Sequence, residues 1–240
     1  MIMGMIIARP PERHPYLPGE TIPCHGLGGG TRDSSPPGGG SVIEERLRAR
    51  TNGALMRVAD LIARTGVTPN TLTLLGFAGM AAAGVLCAAG SFFSAGFVVA
   101  VSCVFDALDG ALARASGAAS VFGAFLDSFL DRYAEAAIYA GLLVHYAWAA
   151  APWGVVAAFA AAIGSLMVSY ARARAEGLGI ACRAGIFARP ERIAVMIAGL
   201  LTGLVLPALV ILAAATNATA VRRLLHVRRC AGSRPPRPPG

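Results

Sequence analysis

The feature that most restricts the fold of this chain is a succession of apolar runs, each long enough to cross a bilayer. The first four runs cover about residues 71–90, 93–113, 122–146 and 153–173. A helix needs about 20 apolar residues to span the hydrocarbon core, and only structures that pair their own backbone groups can do so. Hydrophobic residues make up 55% of the 240 residues, which is unusual for a soluble domain. The sequence therefore predicts an all-α integral membrane protein.

A further apolar region, residues 193–221, is long for one span and short for two. Gly203 and Pro207 interrupt it near the middle, which favours a tight hairpin of two short or partly embedded helices. A hairpin also returns its flanking arginines to one side of the membrane, where a single span would separate them. With this hairpin, the chain has six predicted transmembrane helices between about residues 71 and 225.

The ends of the chain differ in composition from the predicted membrane domain, residues 42–227. Residues 1–41 are rich in Pro and Gly and 228–240 in Arg and Pro, so both tails are predicted to be disordered. Residues 42–65 alternate apolar and charged positions at roughly helical period. This pattern is typical of an amphipathic interfacial helix, although a soluble linker helix is an alternative.

Charge is distributed unevenly between the predicted loops. The loops near residues 91, 150 and 204 carry no charged side chain, whereas the other connections and both tails are rich in arginine. The positive-inside rule then places both termini and the charged loops on the cytoplasmic side of a multi-pass cell-membrane protein. All 21 basic residues are Arg and the net charge is +8, but their position in tails and short loops argues against nucleic acid as a partner.

Four carboxylates stand at helical spacing at the ends of two neighbouring spans. Asp106 and Asp109 close the second span, and Asp127 and Asp131 open the third. Residues three or four apart share a helix face, and a short connection makes the two helices antiparallel. The four side chains are therefore expected to converge near the cytoplasmic membrane boundary.

Bare carboxylates are costly in an apolar setting, so divalent ions are the expected partners. Oxygen-only ligands favour Mg²⁺ or Mn²⁺, and two ions about 3.5–4 Å apart could hold a diphosphate during displacement at phosphorus. Asp131 is the better candidate for a general base that takes a proton from an attacking hydroxyl. A purely structural alternative pairs the acids with Arg114 and Arg132, but two arginines cannot neutralise four Asp and Glu135.

Small residues lie on the same helix faces as the two Asp pairs. Gly110 and Ala113 follow the first pair, and Gly123 precedes the second. Together they leave a slot in which an extended ligand could approach the backbone. Arg114 stands beside this slot and could pair with a phosphate oxygen. For the two glycines alone, ordinary helix packing in a membrane is the common explanation.

The complete pattern D-x2-D-G-x2-A-R-x8-G-x3-D-x3-D runs from Asp106 to Asp131. It resembles the signature of the CDP-alcohol phosphotransferase family of phospholipid synthases, over about residues 45–225. The resemblance implies an enzyme with six membrane helices that is usually a homodimer. It implies transfer of a phosphatidyl group from CDP-diacylglycerol to an alcohol, with release of CMP.

By this resemblance, each motif residue has an implied role. Asp106, Asp109 and Asp127 bind the metals, and Asp131 contacts a metal or serves as the catalytic base. The implied CDP site comprises Asn70, Thr73, Gly110, Ala113, Arg114 and Gly123.

Cationic segments in the second half of the chain bear on the identity of the acceptor alcohol. The stretches Ser169–Glu176 and Arg189–Arg192 are similar to those of the phosphatidylinositol phosphate synthase branch. This similarity implies that Ser169, Arg172, Arg192 and Arg223 hold the phosphate of inositol phosphate, a phosphorylated polyol. Ordinary positive-inside anchoring is the alternative for any one of these arginines.

Two other functions are compatible with the sequence. A phosphatidylglycerophosphate synthase also has an anionic acceptor, glycerol 3-phosphate, and would need a similar arginine cluster. A divalent-cation transporter could use intramembrane acids, but the Asp residues gather at one boundary and the other helices offer no matching polar path. The favoured prediction is a metal-dependent phosphatidylinositol phosphate synthase.

Overall fold

In the computed structural model, six helices form most of the described part of the chain, which comprises residues 58, 61–63, 66–117, 120–182 and 187–232. They are α1 Pro69–Ala88, α2 Phe92–Ala115, α3 Val121–Trp148, α4 Pro152–Gly177, α5 Arg189–Thr202 and α6 Val205–Gly232. The predicted tail 1–41 lies outside the described residues. So does most of the predicted interfacial helix, of which only residues 58 and 61–63 are described, as helix.

The first four helices begin and end within four residues of the predicted spans. Local signals fix their starts. The Thr68 hydroxyl accepts a hydrogen bond from the Thr71 N–H and Pro69 occupies the first turn of α1, where its missing donor is harmless. At α3, the Ser120 hydroxyl accepts from the Gly123 N–H at 2.9 Å. Both are N-caps that satisfy backbone donors at a helix start.

Residues 193–221 form a hairpin, as expected, but its two arms are unequal. α5 has 14 residues and α6 has 28. The break is at Gly203, whose φ of +74° ends α5 in the left-handed conformation that glycine adopts readily. Pro207 does not contribute to the break, because it lies in the first turn of α6 where proline is tolerated. α6 continues to Gly232, five residues past the predicted end of the membrane domain.

Four helices, α1, α2, α4 and α6, are long and apolar enough to cross a membrane. α3 is long, with 28 residues, but carries Asp127, Asp131, Arg132 and Glu135 within its first fifteen residues. α5 is too short to span a bilayer of about 30 Å by itself. The chain is thus a multi-pass membrane protein with four clear spans.

The six helices form a closed ring in which each helix has two main neighbours. The contacts run from α1 to α3, α4, α6, α5 and α2, and from α2 back to α1. The interior is filled by small and aliphatic side chains, among them Ala83, Val99, Ile138, Leu142 and Leu209. Consecutive helices α2 and α3 are therefore not main neighbours in the ring, and α1 lies between them.

Glycine allows α1 and α3 to approach closely. A Cβ atom built on Gly141 of α3 would collide with the backbone carbonyl of Gly84 on α1, and one on Gly84 would collide with the carbonyl of Ala137. Small residues at such crossings are typical of membrane helices. This contact fixes the spacing of α1 and α3, and with it the acidic positions near the opposite end of α3.

Candidate active site

Three carboxylates, two from α2 and one from α3, converge beside α1. One oxygen from each of Asp106, Asp109 and Asp127 lies within 4.8 Å of the other two. Asp109 is buried and the other two are half-buried. Three converging carboxylates in a largely apolar bundle repel one another and lose part of their hydration. The chemistry of this donor set fits a hard divalent cation, as the Asp spacing predicts.

Thr73 of α1 orients the buried member of this group. The Thr73 hydroxyl donates to Asp109 Oδ2 at 2.7 Å, and the Thr73 hydroxyl oxygen also lies 3.2 Å from the Pro69 carbonyl oxygen. A hydrogen bond of this kind fixes the rotamer of a ligating carboxylate. The structure therefore brings Thr73 to the acids, whereas the resemblance implied a place in the CDP site.

Asp131 stands apart from the three-carboxylate group and is joined to it through an arginine. Arg189, the first residue of α5, donates from Nη1 to Asp106 Oδ2 at 2.7 Å. Its Nη2 lies 2.6 Å from Asp131 Oδ1. Arg132 adds a looser contact, with Nη1 3.7 Å from Asp131 Oδ2. One guanidinium fork thus bridges α2 and α3 across the acidic cluster.

The small residues of the motif line the outer side of this site. A Cβ atom built on Gly110 would lie 3.5 Å from Arg114 Nη1, an ordinary contact distance, so a side chain there would occupy space rather than disrupt helix packing. One on Gly123 would lie 3.4 Å from Asn70 Oδ1 and only 3.0 Å from the hydroxyl of Ser120, the N-cap of α3, so that cap would have to shift. Asn70 and Arg114 are exposed and Ala113 is half-buried. The arrangement is consistent with a polar ligand lying over the two helices.

A small cavity extends from the acids into the bundle. Asp106, Asp131 and Arg189 form its polar end, and Thr73, Phe77 and Met80 are among the residues that line its remainder. The acidic site is therefore open on its inner side to a space between α1, α2 and α3.

Arg192 makes a buried ion pair one turn along α5. Its Nε donates to Glu135 Oε1 and its Nη2 to Glu135 Oε2, both at 2.8 Å. The two side chains are 2% and 8% exposed, so this bidentate ion pair is almost fully buried. Arg192 is thus firmly held, and it would need to share or change this partner to contact an acceptor phosphate.

The other predicted acceptor residues lie on α4 and α6. Arg223 is buried and donates to the Val168 carbonyl, next to Ser169. Arg172 is exposed and pairs with Glu176 at 2.8 Å. Arg223 is close enough to interact electrostatically with both Arg172 and Arg192. The structure therefore brings the three arginines into one region, although each also has a protein partner.

The sequence pattern alone did not assign roles to Arg189 and Glu135. A signal for both is present in the spacing. Asp131 and Glu135 share one face of α3, and Arg189 and Arg192 share one face of α5. Two acids at i, i+4 on α3 and two arginines at i, i+3 on α5 can pair one to one across the interior of the ring.

Comparison with known proteins agrees with this geometry. The family model described as CDP-alcohol phosphatidyltransferase matches residues 66–222, which is most of the chain and includes the whole acidic motif. The chain belongs to the CDP-alcohol phosphatidyltransferase family. Its members are enzymes, and the resemblance drawn from the motif is confirmed.

Two curated relatives are named as synthases. The chain is 39% identical over 188 residues to the phosphatidylinositol phosphate synthase of Mycobacteroides abscessus, covering 73% of this chain and 84% of that protein. It is 36% identical over 192 residues to the archaetidylinositol phosphate synthase of Methanothermobacter thermautotrophicus, covering 77% of this chain and 96% of that protein.

The phosphatidylinositol phosphate synthase of Mycobacterium tuberculosis has a similar fold in two crystal structures. With CDP-DAG bound, its TM-score to this CDP-alcohol phosphatidyltransferase is 0.67 at 32% identity, over 72% of this chain and 92% of that chain. In complex with manganese and citrate, the TM-score is 0.68 at 32% identity, over 72% and 88%.

Proposed function

We propose that this protein is a phosphatidylinositol phosphate synthase, which transfers a phosphatidyl group from CDP-diacylglycerol to inositol phosphate and releases CMP. The observation that carries the proposal is the convergence of Asp106, Asp109 and Asp127 within 4.8 Å, with Arg192 one turn along α5 from the arginine that contacts Asp106. Acids suit a metal-bound diphosphate and guanidinium groups suit a phosphorylated acceptor. The relatives named as inositol phosphate lipid synthases support the acceptor.

Mg²⁺ or Mn²⁺ fits the carboxylates as the required cofactor, and a relative was solved with manganese. When bound, such ions polarise the diphosphate of the CDP-lipid and stabilise its developing charge. Asp106, Asp109 and Asp127 would hold one ion, and a second would need Asp131. Thr73 would keep Asp109 in the ligating rotamer through its 2.7 Å hydrogen bond.

Asp131 is the proposed general base. The acceptor hydroxyl oxygen attacks the lipid-linked phosphorus, a new P–O bond forms, and the bond to CMP breaks. The hydroxyl proton passes to the Asp131 carboxylate. Asp131 suits this role because it lies outside the three-carboxylate group yet beside it, on the same helix face as Asp127.

The remaining residues would bind and orient the two substrates. Gly110, Ala113 and Gly123 leave space for CDP, with Arg114 and Asn70 at its edge. Arg172, Arg192, Arg223 and Ser169 would receive the acceptor phosphate, in which case Glu135 serves to hold Arg192 in place.

The proposed membrane arrangement has six membrane helices, of which α3 and α5 are the less apolar ones. Both termini and the acidic site would face the cytoplasm, since the charged connections all lie at that end. The homodimer implied by the family resemblance is also a proposal, and the mass of the purified protein in detergent would test it.

The acceptor assay tests the function directly. Purified protein in lipid nanodiscs receives CDP-diacylglycerol and, in separate reactions, inositol 1-phosphate, inositol or glycerol 3-phosphate, and CMP release is measured. Release with inositol 1-phosphate alone is expected. Release with glycerol 3-phosphate alone would replace the proposal by a phosphatidylglycerophosphate synthase, and release with none would refute it. An Asp127→Asn preparation provides the background.

A further inference from the structure

Arg189 contacts the acids in a way that the proposed reaction does not use. Its two terminal nitrogens reach Asp106 and Asp131 at 2.7 and 2.6 Å. These are short, charge-assisted contacts. Because the arginine comes from α5 and the acids from α2 and α3, this single side chain connects three helices at the site.

The same Asp106 carboxylate belongs to the group able to hold a metal ion. A guanidinium and a divalent cation on one carboxylate repel each other at close range, and the repulsion is strong where solvent screening is weak. Arg189 and the ion therefore compete for Asp106. Without an ion, Arg189 supplies the positive charge that keeps Asp106 and Asp131 close together.

The environment of Arg189 indicates that this position depends on the acids. Its Nε atom is buried and has no hydrogen-bond partner, so the backbone end of the guanidinium is unsatisfied. An unpaired buried donor is unfavourable, and the two carboxylates compensate for it. The side chain also borders the small cavity between α1, α2 and α3, so it is not enclosed by packed side chains on that side.

We propose that Arg189 is a resident counter-cation of the metal site, which releases Asp106 when a divalent ion binds. This inference rests on the metal site of the proposed function. It makes Arg189 a positioning residue that sets the affinity of the site, distinct from the arginines assigned to the acceptor. Coupling between two bound cations is reciprocal, so loss of Arg189 strengthens ion binding and the ion loosens Arg189.

Direct Mn²⁺ titration tests this inference without reference to turnover. Free Mn²⁺ is followed by electron paramagnetic resonance with purified wild type, Arg189→Gln, Arg189→Lys and the control Arg174→Gln. Arg174 is an exposed arginine in the last turn of α4. Thermal unfolding of each protein is measured with and without Mn²⁺.

The expected result is about tenfold tighter Mn²⁺ binding in Arg189→Gln, with a lower Tm in the metal-free protein and a larger Tm increase on adding Mn²⁺. Arg189→Lys keeps the charge but loses the fork, so its affinity lies between those of Arg189→Gln and wild type. Arg174→Gln matches wild type. A merely structural arginine would lower Tm equally in both conditions and leave the affinity unchanged.

The outcomes separate the two proposals. Wild type that binds no Mn²⁺ would overturn the proposed metal site and this inference with it. Wild type that binds Mn²⁺, with equal or weaker binding in Arg189→Gln, would overturn only the counter-cation role. If Arg189→Gln does not fold, Arg189→Lys decides the question, since wild-type affinity in that variant would contradict the competition.

Discussion

The acids of α2 and α3 and the arginines of α4, α5 and α6 place charge in the same apolar bundle in different ways. Each predicted acceptor arginine has a protein partner: Glu135 for Arg192, Glu176 for Arg172 and the Val168 carbonyl for Arg223. The three converging carboxylates share one hydroxyl and one arm of Arg189. The three acids therefore carry negative charge that their protein partners do not balance, which marks them as a ligand site. The arginines have protein partners of their own, and a measured affinity for the acceptor would show whether they also bind it.

Loss of a carboxylate from the three-residue group is expected to have the largest effect. Asp127→Asn removes a metal ligand and should lower CMP release at least about a thousandfold, since the ion supplies several kcal/mol of charge stabilisation. Glu191→Gln, an exposed acid on α5, is the matched control and should retain activity. Exhaustive chelation of wild type should have the same effect as Asp127→Asn, and Mn²⁺ should restore it. Full activity after chelation would contradict a metal-dependent reaction.

Asp131→Asn tests whether Asp131 acts as a base while the other three acids bind metal. The loss of a general base should lower turnover by about 10²–10⁴-fold, while the three remaining carboxylates still bind Mn²⁺. Single-turnover CMP release and Mn²⁺ titration on one preparation measure both properties. Wild-type turnover would remove Asp131 from the reaction. Loss of the Mn²⁺ held by the three-residue group would instead make Asp131 a ligand of that ion.

Arg192 tests whether a paired arginine can also serve the acceptor. Arg192→Ala leaves Glu135 as an uncompensated buried charge and should lower the free energy of unfolding by about 3–5 kcal/mol. The double variant Glu135→Leu with Arg192→Met should recover much of this stability, because an apolar pair avoids the desolvation cost.

The double variant also separates the two roles of Arg192. If Arg192 binds the acceptor, the KM for inositol 1-phosphate stays raised in the stable double variant, since ground-state binding is lost. A wild-type KM there would restrict Arg192 to a structural role.

Packing of α1 on α3 is expected to have a smaller effect. Gly141→Ala places a methyl group against the Gly84 carbonyl and should lower stability by about 1–3 kcal/mol. Gly177→Ala is the control, because a Cβ there has no atom within 4 Å. Thermal unfolding in detergent compares them. Equal Tm values would show that the two helices can separate without cost.

Arg172→Gln should have the smallest effect on stability. Arg172 and Glu176, which form an ion pair, are both exposed. Loss of this pair should therefore change the free energy of unfolding by less than about 0.5 kcal/mol. A raised KM for inositol 1-phosphate, with no change in Arg222→Gln, would assign Arg172 to the acceptor. An unchanged KM would identify it as an anchoring residue.

The sequence predicted the parts of the fold and site that depend on local spacing. The ends of α1 to α4 follow from apolar length, Pro and N-cap residues, and the meeting of Asp106, Asp109 and Asp127 follows from helical period. The unequal hairpin could not be predicted in this way. The Arg/Pro-rich composition of residues 228–240 indicated a tail, but α6 continues to Gly232 because Arg223 contacts α4, and Val227 and Cys230 pack against α4 and the segment that follows it.

The partners of the acids and arginines also required the structure. Arg189 and Arg192 are over fifty residues from Asp131 and Glu135 in the chain. Their match depends on where α5 sits in the ring, next to α2 and α6. Spacing shows which residues share a face, but helix order around a ring is set by packing of many small contacts.

In the proposed membrane arrangement, the shortness of α5 sets the depth of the site. Its fourteen residues extend about 20 Å, which would leave Arg189 about 10 Å inside the far edge of a hydrocarbon layer of about 30 Å. Asp106, the fifteenth residue of α2, would lie at a similar depth. The headgroup of a lipid donor would then reach the acids from within its own leaflet, and a water-soluble acceptor would have to enter between the helices to meet it.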